Sequence, residues 1–195
     1  MRVIGLTGGI ASGKSTVSRL LRAAGIPVVD ADALVHRLQA RGEAAWRAIW
    51  AHFGWAVLQP DGELDRVRLG RWVFQDPTAR QALGRLVHPA VREALRAARE
   101  ELERRGVPLM VWDVPLLIEG GLFREVDEVW VVYAAREQQV ARLMARNGLT
   151  EEEAVRRVAS QMPLDEKLRY AHVVLDNRGT PEDLERQVRE VLASR

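Results

Sequence analysis

Nine consecutive residues near the start of the chain, Gly8-Gly9-Ile10-Ala11-Ser12-Gly13-Lys14-Ser15-Thr16, leave it few folds to adopt. Gly8, Gly13, Lys14 and Ser15 stand at the spacing G-x-x-x-x-G-K-[ST]. At that spacing the glycines let the backbone curl until successive N–H groups converge on a polyphosphate. The helix that follows turns the positive end of its dipole toward the same point. Lys14 has the reach to touch β and γ phosphates, and the Ser15 hydroxyl can bind Mg²⁺. Such a loop needs a strand before it and a helix after it. Val3-Ile4-Gly5-Leu6 supplies the strand-like run; Val17, Leu20, Leu21 and Ala24 recur at helical spacing, with Gly25 as a C-cap. The expectation is an α/β, P-loop NTPase three-layer fold on a five-stranded parallel sheet, carrying a helical insertion and a helical lid.

Composition narrows the class. The 195 residues are 47% hydrophobic, ample for one domain with an inserted subdomain. The formal net charge is only +2, which gives no sign of a nucleic-acid partner. No apolar stretch is long enough to span a bilayer, and the N-terminus runs straight into the loop without a signal peptide. With no cysteine there is no disulfide framework, zinc-thiolate site or thiol nucleophile, and a cytoplasmic monomer or small homo-oligomer is expected. Lys14 and Lys167 are the only lysines in an arginine-rich chain. The first of them falls where the loop demands one.

Along the chain, Ile26-Pro27-Val28-Val29 reads as a second strand ending in Asp30-Ala31-Asp32. If it neighbours the first strand, both aspartates lie beside the loop. One of the two should cap the next helix, and a carboxylate near a transferable phosphoryl group can take a proton from an attacking hydroxyl. Asp32 is assigned that role and Asp30 the support. Residues 33–106 are almost wholly helical, with a turn at Asp61-Gly62 and helices around 65–74 and 77–105; this is the expected substrate-binding insertion. Trp46, Trp50, Trp55 and Trp72 follow helical faces and are expected in its core. His88 by itself reads as a structural histidine, and Pro89 biases it away from helical geometry unless a helix starts or kinks there.

Val107 to Asp113 is an apolar run ending in an acid that could hold Mg²⁺ through water or cap the segment after it. Residues 127–133 read as a strand buried on both faces. Arg136, Arg142 and Arg146 lie on the next helix, and Thr150 with Glu153 forms a capping box for another. This basic hairpin, within residues 136–170, is the expected lid. A last strand, residues 172–177, brings Asp176-Asn177 to the side of the loop. The nucleotide-binding core is then 1–32, 107–135 and 171–195.

Together these segments resemble the dephospho-CoA kinase family. The matching residues are Leu6 to Thr16 with its doubled glycine, Val29-Asp30-Ala31-Asp32, His88-Pro89, Pro115-Leu116-Leu117-Ile118-Glu119, Gln138 with Arg142 and Arg146, Gln161-Met162-Pro163 with Lys167, and Asp176-Asn177. They run in the family's order along nearly the whole chain. The resemblance implies transfer of the ATP γ-phosphoryl group to the ribose 3′-hydroxyl of dephospho-CoA, giving coenzyme A, with Mg²⁺ assisting. It implies that Asp32 is the base, acting with Lys14 and Arg142, and that Asp32, His88, Leu116 and Glu119 contact the acceptor. ATP would be held by Gly8 through Thr16, Arg142, Arg146 and Asn177, and Mg²⁺ by Ser15, with Asp30 or Asp113 as the assisting acid. Ala11 replaces the family's usual extra loop glycine, and His172 stands where an acid is common.

The loop alone leaves two rival readings. One is another small-molecule kinase, acting on a nucleoside monophosphate or a sugar acid. The other is a nucleotide-driven switch, but guanine switches normally carry an N-K-x-D motif, and this chain has none.

Overall fold

The computed structural model describes residues 1–194. Its centre is an all-parallel five-stranded sheet in the order β2-β3-β1-β4-β5, formed by β1 (Arg2–Gly8), β2 (Val28–Asp30), β3 (Leu109–Asp113), β4 (Glu128–Tyr133) and β5 (Val173–Asp176). β1 is buried from its second residue to its last, and Val129 to Val132 of β4 are buried without a break. That is why these strands read as continuous apolar runs. On one face Ile4, Leu6, Val111, Trp130, Val132 and Leu175 pack with Val17 and Leu21 of α1 (Lys14–Ala23) and Leu184 and Val188 of α9 (Pro181–Ala193). On the other, Leu117 presses so close to β1 that a Cβ on Gly5 would lie 2.7 Å from it. Each fully buried aliphatic side chain here is worth roughly 1.5–3 kcal/mol.

The strand order decides what the sequence left conditional, so that Asp30 and Asp32 do not follow a strand adjacent to β1. β2 does not neighbour β1; β3 lies between them. Leu6 therefore pairs with Asp113, which makes Asp113 the acid level with the end of β1.

The chain divides into two compact units, Met1–Val29 with Glu101–Arg195, and Asp30–Glu100. The first also holds α6 (Arg136–Asn147), α7 (Glu151–Ala159) and the single turn α8 (Leu164–Lys167). α6 and α7 pack through Val140, Leu143 and Ala154, joined by Gly148 in the left-handed region. The expected capping box forms at α7: Glu153 N–H donates to Thr150 Oγ1 at 3.3 Å, and Thr150 N–H to Glu153 Oε2 at 3.0 Å. These contacts hold the Glu153 carboxyl below its ordinary pKa.

The second unit contains α2 (Ala31–Leu38), α3 (Ala44–Phe53), α4 (Arg66–Gln75) and most of α5 (Pro77–Arg104). α5 passes through Pro89 without ending, since Val87, Val91 and Leu95 on its buried face continue the helical stripe on both sides of the proline. The missing proline N–H removes one hydrogen bond, on an exposed part of the helix. The tryptophans depart from the core expectation. Trp46 and Trp50 are half-buried and stack with ring centroids 5.6 Å apart, but Trp55 is 75% exposed and Trp72 40%. Helical spacing aligned them correctly, but a unit this small has too little interior to enclose them; Trp55 meets Trp50 edge-on and Trp72 meets Phe53. Among the described residues no helix is long and apolar enough to cross a membrane.

Candidate active site

The loop closes over the carboxyl end of β1 through contacts that begin in its own backbone. Ser12 N–H donates to Gly9 C=O at 3.1 Å, and Thr16 and Val17 N–H both donate to Gly13 C=O. Gly13 has φ +99°, where a side chain is strained, and a Cβ there would also strike the Asn177 amide. Only glycine meets both demands. The N–H groups of Lys14 and Ser15, at the start of α1, have no partner among the described residues. Two orphan donors at a helix N-terminus, ringed by a tight loop, form an anion site.

The Lys14 ammonium is paired with Asp113 Oδ1, and Ser18 Oγ donates to Asp113 Oδ2 at 2.5 Å. The Asp113 side chain is only 4% exposed, so its charge is balanced almost wholly by these two groups. Ser15 is exposed at the loop's rim.

Asn177 holds the loop from the far side. The turn after β5 is fixed by Gln187, whose side chain accepts from Asp176 N–H at 2.8 Å and donates to Asp176 C=O at 2.9 Å. The Arg178 guanidinium beside Asp176 holds that carboxyl below the usual range. From this turn Asn177 Nδ2 donates to Ser12 C=O at 2.8 Å, and Arg142 Nη2 donates to Asn177 C=O at 2.8 Å. The other terminal nitrogen, Arg142 Nη1, is buried and finds no hydrogen-bond partner among the described residues. Arg146 differs: it is exposed and donates to Asn147 Oδ1 next to it. The two lid arginines of the sequence reading are thus separated by geometry.

The most buried charge in the unit is Lys167, which has no exposed surface. Its Nζ lies 3.0 Å from Glu119 Oε1, 2.8 Å from Pro115 C=O and 3.5 Å from Gly8 C=O. Burial pushes its pKa below the ordinary lysine value, against the opposing pull of Glu119. Glu119 Oε1 also accepts from Met162 N–H at 3.2 Å, and Thr7 Oγ1 donates to Pro115 C=O at 2.9 Å. The carboxylate and this ammonium therefore join the end of β1, the turn after β3 and the segment before α8. Leu116, on the same turn, is 45% exposed. Lys167→Met is expected to cost about 3 kcal/mol by leaving Glu119 without its counter-charge. That is roughly a 10 °C loss in Tm by calorimetry for a chain of this size. Glu119→Gln, whose amide oxygen can still accept from both donors, leaves the fully buried Lys167 ammonium without a counter-charge and is expected to cost a comparable amount.

In the second unit, Asp30 Oδ1 accepts from the N–H groups of Asp32 at 2.9 Å and Ala33 at 3.1 Å, so Asp30 is the cap of α2. Asp32 is exposed in the first turn of that helix. His88 is exposed on α5, its ring lying over Gly84, where an added Cβ would meet it at 3.3 Å.

Ser18, Gln139 and Gln161 carry contacts to this site that sequence reasoning left without a role. Lys167 carried a signal in being one of two lysines among many arginines: a compact ammonium fits between three oxygens where a planar guanidinium does not. Gln139 had none, since a glutamine on an amphipathic helix reads as surface.

Comparison with known proteins supplies the family. The sequence model of the dephospho-CoA kinase family matches residues 2–183. The dephospho-CoA kinase of Geobacter sulfurreducens is 52% identical over 195 residues, covering 100% of this chain and 99% of that protein. The crystal structure of a Thermus thermophilus protein superposes with a TM-score of 0.83 at 44% identity, over 99% of this chain and 97% of the other. The dephospho-CoA kinase of Campylobacter jejuni does so with a TM-score of 0.74 at 25% identity, over 100% and 97%. Agreement of this extent, from the loop to the last helix, makes the chain a member of the dephospho-CoA kinase family and an ATP-dependent phosphotransferase.

Proposed function

We infer that this chain phosphorylates the ribose 3′-hydroxyl of dephospho-CoA, with ATP as donor, in the final step of coenzyme A synthesis. The observation that carries the nucleotide half is the loop with its orphan Lys14 and Ser15 N–H groups beside a paired, half-buried lysine. The acceptor half rests on the family match over residues 2–183.

Phosphoryl transfer spreads negative charge over the γ oxygens and leaves little covalent work to the protein, so positioning and positive charge carry the catalysis. Lys14 moves from Asp113 to the β and γ phosphates, exchanging one anion for another. Arg142 is held at one terminal nitrogen by Asn177, and its second, buried and unpartnered, is available to a phosphate oxygen. Asp32 accepts the proton of the attacking hydroxyl, while Asp30 keeps the helix start that carries it in place. His88 and Leu116 serve the acceptor. Glu119 serves it indirectly, since its carboxylate is taken up by Lys167 and Met162.

No group of three or more His, Cys, Asp or Glu side chains able to cage a metal occurs among the described residues. Mg²⁺ is commonly held by one or two protein oxygens together with substrate phosphates, and the exposed Ser15 hydroxyl and the Asp113 carboxylate are hard oxygen donors of that kind. Ser15 and Asp113 are the residues that would hold it, and it would supply charge neutralisation between the β and γ phosphates. Asp30, whose Oδ1 caps α2, is the alternative assisting acid. The absence of cysteine supports a cytoplasmic setting.

The test is direct. Purified protein with ATP, Mg²⁺ and dephospho-CoA is expected to yield coenzyme A, with the new phosphate located at the 3′ position by phosphorus NMR. Faster ADP release with a nucleoside monophosphate or gluconate than with dephospho-CoA would overturn the assignment.

A further inference from the structure

Ala11 is the only non-glycine residue with positive φ among the described residues, at +57°, on the tip of the phosphate-binding loop. A side chain disfavours that conformation, so something must hold it there. The adjoining residue, Ile10, is gripped from both sides. Its N–H donates to Gln161 Oε1 at 2.9 Å, and its C=O accepts from Gln139 Nε2 at 2.7 Å. The first bond holds the Gly9–Ile10 peptide plane and the second the Ile10–Ala11 plane, whose orientation sets φ at Ala11. Gln139 comes from α6 and is 4% exposed; Gln161 comes from the segment between α7 and α8. The side chains of Ile10 and Ala11 meanwhile pack on the α6–α7 core of Val140, Leu143 and Ala154.

The loop is shaped to admit this grip. A Cβ on Gly9 would collide with Gln139 Nε2 and approach Leu164 Cγ to 3.2 Å. The second glycine of the doubled pair is therefore room for a glutamine amide, a reason separate from phosphate binding. Both glutamines also line a cavity of about 280 Å³ with Tyr133, Arg136 and Asp165. Each amide must present the atom found: an N–H admits only the oxygen, and a C=O only the NH₂.

We propose that Gln139 and Gln161 are positioning residues for phosphoryl transfer: they clamp the two peptide planes flanking Ile10 and so hold Ala11, and the loop tip with it, in the form that receives the nucleotide's phosphates. The proposal rests on the kinase reading above. It makes the helical hairpin part of the nucleotide site's framework, and it explains how this chain tolerates alanine at the loop tip.

The experiment is an equilibrium ATP titration by calorimetry, which needs no acceptor, followed by steady-state kinetics and thermal melting. Gln139→Met and Gln161→Met keep length and remove hydrogen bonding. Each is expected to weaken ATP about fivefold, the scale of one lost hydrogen bond. KM for dephospho-CoA should stay within about twofold. The double variant should lose less than the product of the two single losses, because both act through one residue's backbone. Ala11→Gly, which relieves the strain at φ +57°, should recover at least half of the affinity lost in Gln139→Met. Gln161 is only half-buried, so its variant keeps a folded protein for the test if Gln139→Met does not. Unchanged ATP affinity in Gln161→Met overturns the proposal, as does an equal rise in both KM values or failure of Ala11→Gly to restore binding. A wild-type protein that binds ATP but does not phosphorylate dephospho-CoA would refute the acceptor and leave the clamp to be judged by the titration.

Discussion

Lys14→Ala is expected to lower kcat/KM by about 10³-fold or more and to weaken ATP at least tenfold, the scale of removing a group aimed at transition-state charge. Stability complicates the measurement in a way the structure makes explicit. Without Lys14, the carboxylate of Asp113 stays buried with only Ser18 Oγ to answer it. That costs about 3 kcal/mol, so the single variant should melt lower than wild type. Adding Asp113→Asn removes the orphaned charge. The double variant should regain most of the Tm and none of the turnover. Recovery of both together would mean that Lys14 acts on the fold alone, and turnover within tenfold of wild type in Lys14→Ala would remove it from catalysis.

The second large effect is a loss of turnover without a loss of ATP. Asp32→Asn keeps size and shape and withdraws the proton acceptor, and kcat should fall about 10³-fold, within the range for a general base. ATP affinity should stay within about threefold. Asp30→Asn supplies the contrast. Asparagine caps a helix as well as aspartate, so the bonds to Asp32 N–H and Ala33 N–H survive, and the loss should stay below about tenfold. Stopped turnover with ATP still bound is the signature sought in Asp32→Asn. Near-normal kcat in that variant would transfer the role to another group.

Much of this site is legible in the sequence. The strand, loop and helix from Val3 to Ala24 are local, because glycines at fixed offsets and an apolar period specify them within a few residues. The same holds for the Thr150 capping box and for β4, whose unbroken apolar run is the mark of a central parallel strand. Features that depend on partners far along the chain are misread or missed. The tryptophans have the right period, but period reports which residues share a face and not how much interior lies behind it. Asp113 is ambiguous until strand order puts β3 beside β1, because order is set by crossovers that no local pattern encodes.

By itself, then, the sequence determined that this chain builds a phosphate-binding loop on a parallel sheet, and its motifs in order determined the family. Only the tertiary structure decided which polar groups serve that loop: Asp113 for Lys14, Lys167 for Glu119, and Gln139 with Gln161 for Ile10. The physical reason is that a motif is written in chain neighbours, whereas a buried polar atom takes whichever complementary group the fold brings within about 3 Å. In this chain those groups lie 48 to 151 residues away, as between Glu119 and Lys167 at one extreme and Ile10 and Gln161 at the other.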